Sequence, residues 1–136
     1  MLRGQLRRSI ASARKSTIRS FHSTSRALKV EEVSSYPDFK EKVLKDKFAL
    51  VDFYATWCAP CKAISPLVEK FSEQYANDVK FYKVDVDNSG DTPAVYGVTA
   101  MPTFLLFKNG EKVFSIVGAN PQGIKQVLDA AVKGDL

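Results

Sequence analysis

VDFYATWCAPCK, residues 51–62, is the stretch whose reading decides the fold. It opens inside a nearly continuous apolar run, 48–55, which is the mark of a strand covered on both faces. It closes in the first turn of a segment, 59–75, in which Ile64, Leu67, Val68 and Phe71 return on one helical face. A buried strand thus feeds an amphipathic helix, with two cysteines at the junction. Pro66 falls within that helical segment and is expected to kink it.

Strand-like and helix-like pieces alternate outward from this point with short connections, which argues for an α/β domain with a central sheet and helices on its faces. Residues 29–33 read as a short first strand. A helix is expected over 38–45, where Phe39, Val43 and Leu44 have helical spacing after a Ser-Ser-Tyr-Pro start signal. Residues 81–86 read as a third strand and 91–96 as a short helix. Two further strands, 103–108 and 112–117, flank Asn109-Gly110, a strong hairpin signal. A last helix over 121–132 turns Ile124, Val127, Leu128 and Ala131 inward. There is no internal repeat and no room for a second domain in 136 residues.

Charge is distributed unevenly. The net charge of +5 arises in the first 28 residues, which hold all six arginines, Lys15 and no acid; from Lys29 onward 13 lysines face 15 Asp and Glu. A mildly acidic body without arginine lacks the guanidinium forks that read guanine or clasp phosphate, so no nucleic-acid partner is expected. The longest apolar runs are four residues, against the roughly 20 that a spanning helix needs, so no membrane insertion is expected either. Two cysteines and one histidine cannot complete a four-ligand zinc site from those residue types, and no metal is expected.

Residues 1–28 contain no apolar block of the kind that drives secretion. On a helix, Leu2, Leu6, Ile10 and Ala13 share a narrow arc, and Arg3, Arg7, Arg8, Arg14 and Lys15 occupy the other side. A basic amphipathic helix of this kind suits a mitochondrial transit peptide, so residues 1–28 are expected to be a targeting segment and 29–136 the mature domain, located in the mitochondrial matrix. The stretch RSFHSTSRAL, 19–28, resembles a two-step processing site: a first cut after Ser20, then removal of 21–28, would leave Lys29 as the new N-terminus.

The chemistry is concentrated at 57–62. Two thiols three positions apart at a helix N-terminus can close a small ring, and the helix dipole with its free N–H groups favours a thiolate on the first. Cys58 is therefore expected to be the nucleophile and the more exposed sulfur, while Cys61, one turn in, is expected to be buried and protonated until needed. Attack by Cys58 on a disulfide would give a mixed disulfide that Cys61 resolves. Pro60 keeps the turn tight. The blander readings are two inert core thiols or half of a metal or iron–sulfur site shared between molecules.

At these residues the sequence resembles the thioredoxin family. VDFYATWCAPCK at 51–62, KVDVD at 83–87, MPTFLLFKNG at 101–110 and VGA at 117–119 occur in the family's order and spacing, and the resemblance covers essentially all of 29–136. It implies the thioredoxin fold, a mixed sheet of about five strands flanked by about four helices. It also implies that Cys58 and Cys61 form a redox-active disulfide, with Asp52 matching the buried aspartate that serves Cys61 as base or proton relay. Lys83 matches the lysine beside that aspartate. Pro102, after Met101, matches the cis-proline that faces the sulfurs and pairs with substrate backbone, and Trp57 and Gly118 match positions on the apolar docking rim. Ala59 replaces the more usual glycine and is expected to shift the redox potential; Tyr54 stands where tryptophan is common. A carboxylate alone in the run 48–55 is costly unless it has a task or a partner, which accords with the role implied for Asp52.

The activity so implied is that of a protein-disulfide oxidoreductase. It is a monomeric electron carrier with no bound cofactor, reduced by an NADPH-fed flavoprotein thioredoxin reductase and delivering electrons to protein disulfides such as those of peroxiredoxins or methionine sulfoxide reductases. No Gly-rich dinucleotide fingerprint is present. The competing readings are a disulfide oxidase or isomerase of the same fold, against which Pro60 and the leader both speak, and a thioredoxin-like binding subunit without turnover.

Overall fold

In the computed structural model, which describes residues 29–136, five strands form one sheet in the order β1-β3-β2-β4-β5. The leader helix and processing site expected in 1–28 lie outside the described residues. In chain order the elements are β1 (Val30–Glu32), α1 (Tyr36–Lys42) with a 3-10 turn at Val43–Lys45, β2 (Phe48–Tyr54), α2 (Ala59–Gln74), β3 (Lys80–Asp85), α3 (Thr92–Val95), β4 (Thr103–Lys108), β5 (Glu111–Val117) and α4 (Pro121–Lys133). β1 and β2 both run parallel to β3, whereas β4 runs antiparallel to β2 and β5 antiparallel to β4. The sheet is mixed, five-stranded and accompanied by four helices, as expected.

Local chemistry explains the helix starts. The Ser35 hydroxyl accepts the Asp38 N–H at 3.2 Å and Pro37 sits in the first turn, so α1 begins two residues before the apolar periodicity does. Its expected last turn tightens into the 3-10 geometry. α2 continues through Pro66. At α4 the Asn120 side chain accepts the Gly123 N–H at 3.0 Å, Pro121 opens the helix, and Gly134 closes it in the left-handed conformation at φ 81°. The β4–β5 hairpin turns on Asn109 and Gly110 with φ of 51° and 87°, the positive values a two-residue connection matched to strand twist requires.

β2 is central and alternates between two apolar layers. On one face Phe48 and Leu50 join Phe81, Phe104 and Leu106 against Ile64, Val68 and Phe71 of α2 and Ile124, Val127 and Leu128 of α4. On the other, Val51 and Phe53 join Val84, Leu105 and Phe107 against Val33, Phe39 and Val43. Each large side chain so enclosed contributes roughly 1.5–3 kcal/mol. Asp52 occupies the position on the first face where Phe48 and Leu50 lead one to expect a third apolar residue. β5 is an edge strand, with only Ile116 buried along its length. No helix among the described residues is long and apolar enough to cross a membrane.

Candidate active site

The parallel strands β2 and β3 deliver their C-terminal ends to one side of the sheet, and the loop leaving β2 enters α2 at Cys58. Cys58 is the N-cap: its backbone is extended (φ −90°, ψ 110°), and its sulfur accepts the Cys61 N–H at 3.2 Å. The Cys58 N–H is held by the Ala55 carbonyl at 3.2 Å and the Lys62 N–H by the Cys58 carbonyl at 3.3 Å. A sulfur capping a helix N-terminus sees free N–H groups and the positive end of the dipole, both of which favour a thiolate there once the pair is reduced. Cys58 and Cys61 are joined by a disulfide with their Cα atoms 5.3 Å apart.

The two cysteine residues are equally enclosed, each 5% exposed, so residue burial does not set Cys58 apart in the disulfide state. Ala55 and the half-buried Tyr54, Val86 and Met101 pack against the pair. Capping position, rather than residue burial, tells the two cysteines apart.

The surrounding residues are brought to the same place. The Met101–Pro102 bond is cis, and the buried Pro102 accepts the Gly118 N–H on its carbonyl at 2.8 Å. Gly118 needs its φ of 99°, a conformation that side-chain-bearing residues rarely adopt. Trp57 is 66% exposed, and its indole N–H donates to Asp87 at 2.9 Å, so a large apolar ring is fixed in orientation beside the pair while open to solvent. Ala59 and Pro60 are exposed on the same turn.

Behind the cysteines, Asp52 is 8% exposed and its Oδ1 has no hydrogen-bond partner. It lines a cavity of about 370 Å³ shared with Cys61, Tyr54, Lys62 and Lys83. Burial pushes the Asp52 carboxyl up to about 7, against the opposing pull of the Lys83 ammonium and with a smaller upward push from Glu32. Lys83 lies beside Asp52 in the strand register, yet its ion-pair partner is Glu32 at 3.9 Å. Sequence reasoning assigned no role to Glu32 or to Asp87; the latter lies in the quoted KVDVD motif, the former in a strand whose register only the sheet reveals. A larger groove of about 530 Å³ between β5 and α4 contains no thiol or ionisable side chain. Among the described residues no three His, Cys, Asp or Glu side chains gather as a metal site.

A buried carboxylic group with a proton affinity near neutrality, sharing a cavity with the inner of two paired sulfurs, can take and return a proton at physiological pH.

Comparison with known proteins agrees. A family model described as thioredoxin matches residues 29–130. Thioredoxin-1 of Saccharomyces cerevisiae is 52% identical over 101 residues, covering 74% of this chain and 97% of that protein. The crystal structure of Malassezia sympodialis thioredoxin superposes with a TM-score of 0.71 at 44% identity, covering 75% of this chain and 90% of that one. Mitochondrial thioredoxin 3 of Saccharomyces cerevisiae, in its oxidised form, gives a TM-score of 0.71 at 36% identity, covering 76% of this chain and 97% of that one.

Proposed function

The chain belongs to the thioredoxin family and is a protein-disulfide oxidoreductase whose redox group is the Cys58–Cys61 pair; from that premise we propose that it is the general disulfide reductant of the mitochondrial matrix, with Cys58 as nucleophile, Cys61 as resolving thiol and Asp52 as proton acceptor. The observation that carries the assignment of roles is the capping geometry: the Cys58 sulfur, not that of Cys61, receives the N–H of the first helical turn.

The reaction balances as follows. The Cys58 thiolate attacks one sulfur of a substrate disulfide, a Cys58–substrate disulfide forms, and the other substrate sulfur leaves as a thiolate that takes a proton from water. Asp52 accepts the Cys61 proton through the shared cavity. The Cys61 thiolate then attacks the Cys58 sulfur, the second substrate sulfur leaves as a thiolate and takes up the proton that Asp52 accepted from Cys61, and the Cys58–Cys61 disulfide closes. The substrate has gained two electrons and two protons, and the pair has lost two electrons. Trp57, Met101, Pro102 and Gly118 form the surface on which substrate docks; Ala59, Pro60 and Lys83 tune the couple.

Residues 1–28 are read as the transit peptide and 29–136 as the mature domain. The mildly acidic body, the basic acid-free leader and the likeness to a yeast mitochondrial thioredoxin support the matrix location. The reading includes a monomer that takes electrons from an NADPH-dependent flavoprotein thioredoxin reductase and passes them to protein disulfides, peroxiredoxins among them.

The test uses two variants and insulin as disulfide substrate. Cys58→Ser abolishes reduction and forms no covalent complexes. Cys61→Ser also stops turnover, but leaves Cys58 able to attack and unable to release, so disulfide-linked partners accumulate on non-reducing gels of mitochondrial extract. Equal capture by both variants would overturn the assigned order of attack, and capture by neither would favour a binding subunit without turnover.

A further inference from the structure

β1, β3 and β2 lie side by side in parallel, and their register sets Glu32 opposite Lys83 and Lys83 opposite Asp52. Register partners on adjacent strands point to the same face, so the three side chains form one row with the ammonium in the middle. A lysine between two carboxylates can be drawn to either. Lys83 Nζ lies 3.9 Å from Glu32 Oε1 and 5.6 Å from the centre of the Tyr54 ring, while Asp52 keeps an oxygen with no partner. Glu32 is itself held: the Tyr54 hydroxyl donates to its carboxylate, 3.1 Å from both Oε1 and Oε2. Tyr54 follows Asp52 by two positions on β2 and so stands on the same face.

We propose that Glu32, fixed by the Tyr54 hydroxyl, is a positioning residue that draws the Lys83 ammonium to the outer side of this row and leaves Asp52 without a counter-ion, an inference that rests on the reading of Asp52 as proton acceptor for Cys61. The lysine's ammonium is shared between the Tyr54 ring, 5.6 Å from the ring centre, and the Glu32 carboxylate at 3.9 Å.

The consequence is electrostatic. A cation within about 4–6 Å of a carboxylate lowers its proton affinity by about one to three pH units. Drawing Lys83 outward weakens that effect, although the ammonium still pulls the Asp52 carboxyl down, and burial outweighs it to keep the Asp52 proton bound up to near neutrality, where an acid–base group works in both directions. The other titratable or charged groups about Asp52 are the Tyr54 phenol on its own strand and Cys61 and Lys62 from α2, which line the same cavity. On β3, Asp85 is the register partner of Tyr54, and its oxygens are engaged by the Asp87 N–H and the Asn88 amide. On the β4 side the register partner of Asp52 is Phe104, which is apolar.

The test is a titration of the Asp52 carboxyl carbon by NMR in the full chain, labelled at aspartate and kept in the disulfide state, with the signal assigned by its loss in Asp52→Asn. Glu32→Gln is expected to lower the Asp52 midpoint by about one pH unit. Tyr54→Phe, which keeps the ring and removes the hydroxyl, lowers it by less. In a Lys83→Met background, Glu32→Gln moves the midpoint by no more than about a third of its shift with Lys83 present. Glu31→Gln leaves it unchanged, because that carboxylate pairs with Lys42 at 2.8 Å and faces the other side of the sheet.

An unchanged midpoint in Glu32→Gln would overturn the proposal, as would a full shift that persists without Lys83, since Glu32 would then act by its own charge alone. The measurement is made on the disulfide and does not require that Asp52 serve Cys61. That reading fails separately, if Asp52→Asn resolves the Cys58–substrate disulfide as fast as the native chain does.

Discussion

Replacing Asp52 by asparagine removes a buried carboxylate whose Oδ1 has no hydrogen-bond partner, and the sign and size of the result follow from that burial. Asp52 is 8% exposed, and burial raises its carboxyl from an ordinary 3.8 to about 7. Below about pH 4 it is largely protonated whether folded or not, and stability is unaffected. Between about pH 4 and 7 the unfolded chain releases this proton while the folded chain keeps it, so each rise in pH favours unfolding; above about pH 7 both forms are ionised and the loss levels off. A difference of roughly three pH units, at 1.36 kcal/mol for each, places the full cost near 4 kcal/mol. Water in the adjoining 370 Å³ cavity and movement of Lys83 reduce it, so Asp52→Asn is expected to gain about 2–3 kcal/mol at pH 8.5 and close to nothing at pH 4. Urea unfolding of the disulfide form at a series of pH values, native and variant in parallel, measures this as a separation of midpoints that opens through the acid range and then stays constant. A variant less stable than the native chain at pH 8.5, or a difference that does not change with pH, would refute the reasoning and make Asp52 a structural partner rather than an isolated buried acid.

Trp57 is the only indole in the chain and adjoins the disulfide, which quenches a neighbouring indole more than thiols do. Its emission is expected to rise on reduction along a two-electron curve against dithiothreitol, and an emission blind to redox state would contradict its placement. Gly110→Ala puts a Cβ 3.1 Å from the Leu44 carbonyl at a φ of 87°, so it is expected to lower stability by about 1–3 kcal/mol in urea unfolding without changing thiol exchange. The protein isolated from mitochondria is expected to begin near Lys29, and intact-mass measurement that finds residues 1–28 retained would count against the leader assignment.

Much of this molecule is legible in one dimension because its signals are local. The apolar run 48–55, the helical spacing of Ile64, Leu67, Val68 and Phe71, and the Asn-Gly pair each depend on neighbours a few positions away, and each appears in the fold as β2, α2 and the β4–β5 turn. Short helix ends moved by a residue or two, as α1 did, because a serine cap and a proline extend a helix beyond its apolar stripe. The cysteine pair was equally plain, since a three-residue spacing at a helix start places both sulfurs within one turn.

What only the tertiary structure decided depends on pairings between distant segments. Nothing in the order of residues states that Glu32 stands opposite Lys83, 51 positions on, or that Lys83 stands between two carboxylates and leans toward the one outside. The equal burial of Cys58 and Cys61 and the capture of the Trp57 indole by Asp87 are of the same kind. Local periodicity fixes which face a side chain takes, because that depends on backbone geometry alone. Proton affinity is set by distance and burial across strands, and those quantities exist only once the sheet has assembled.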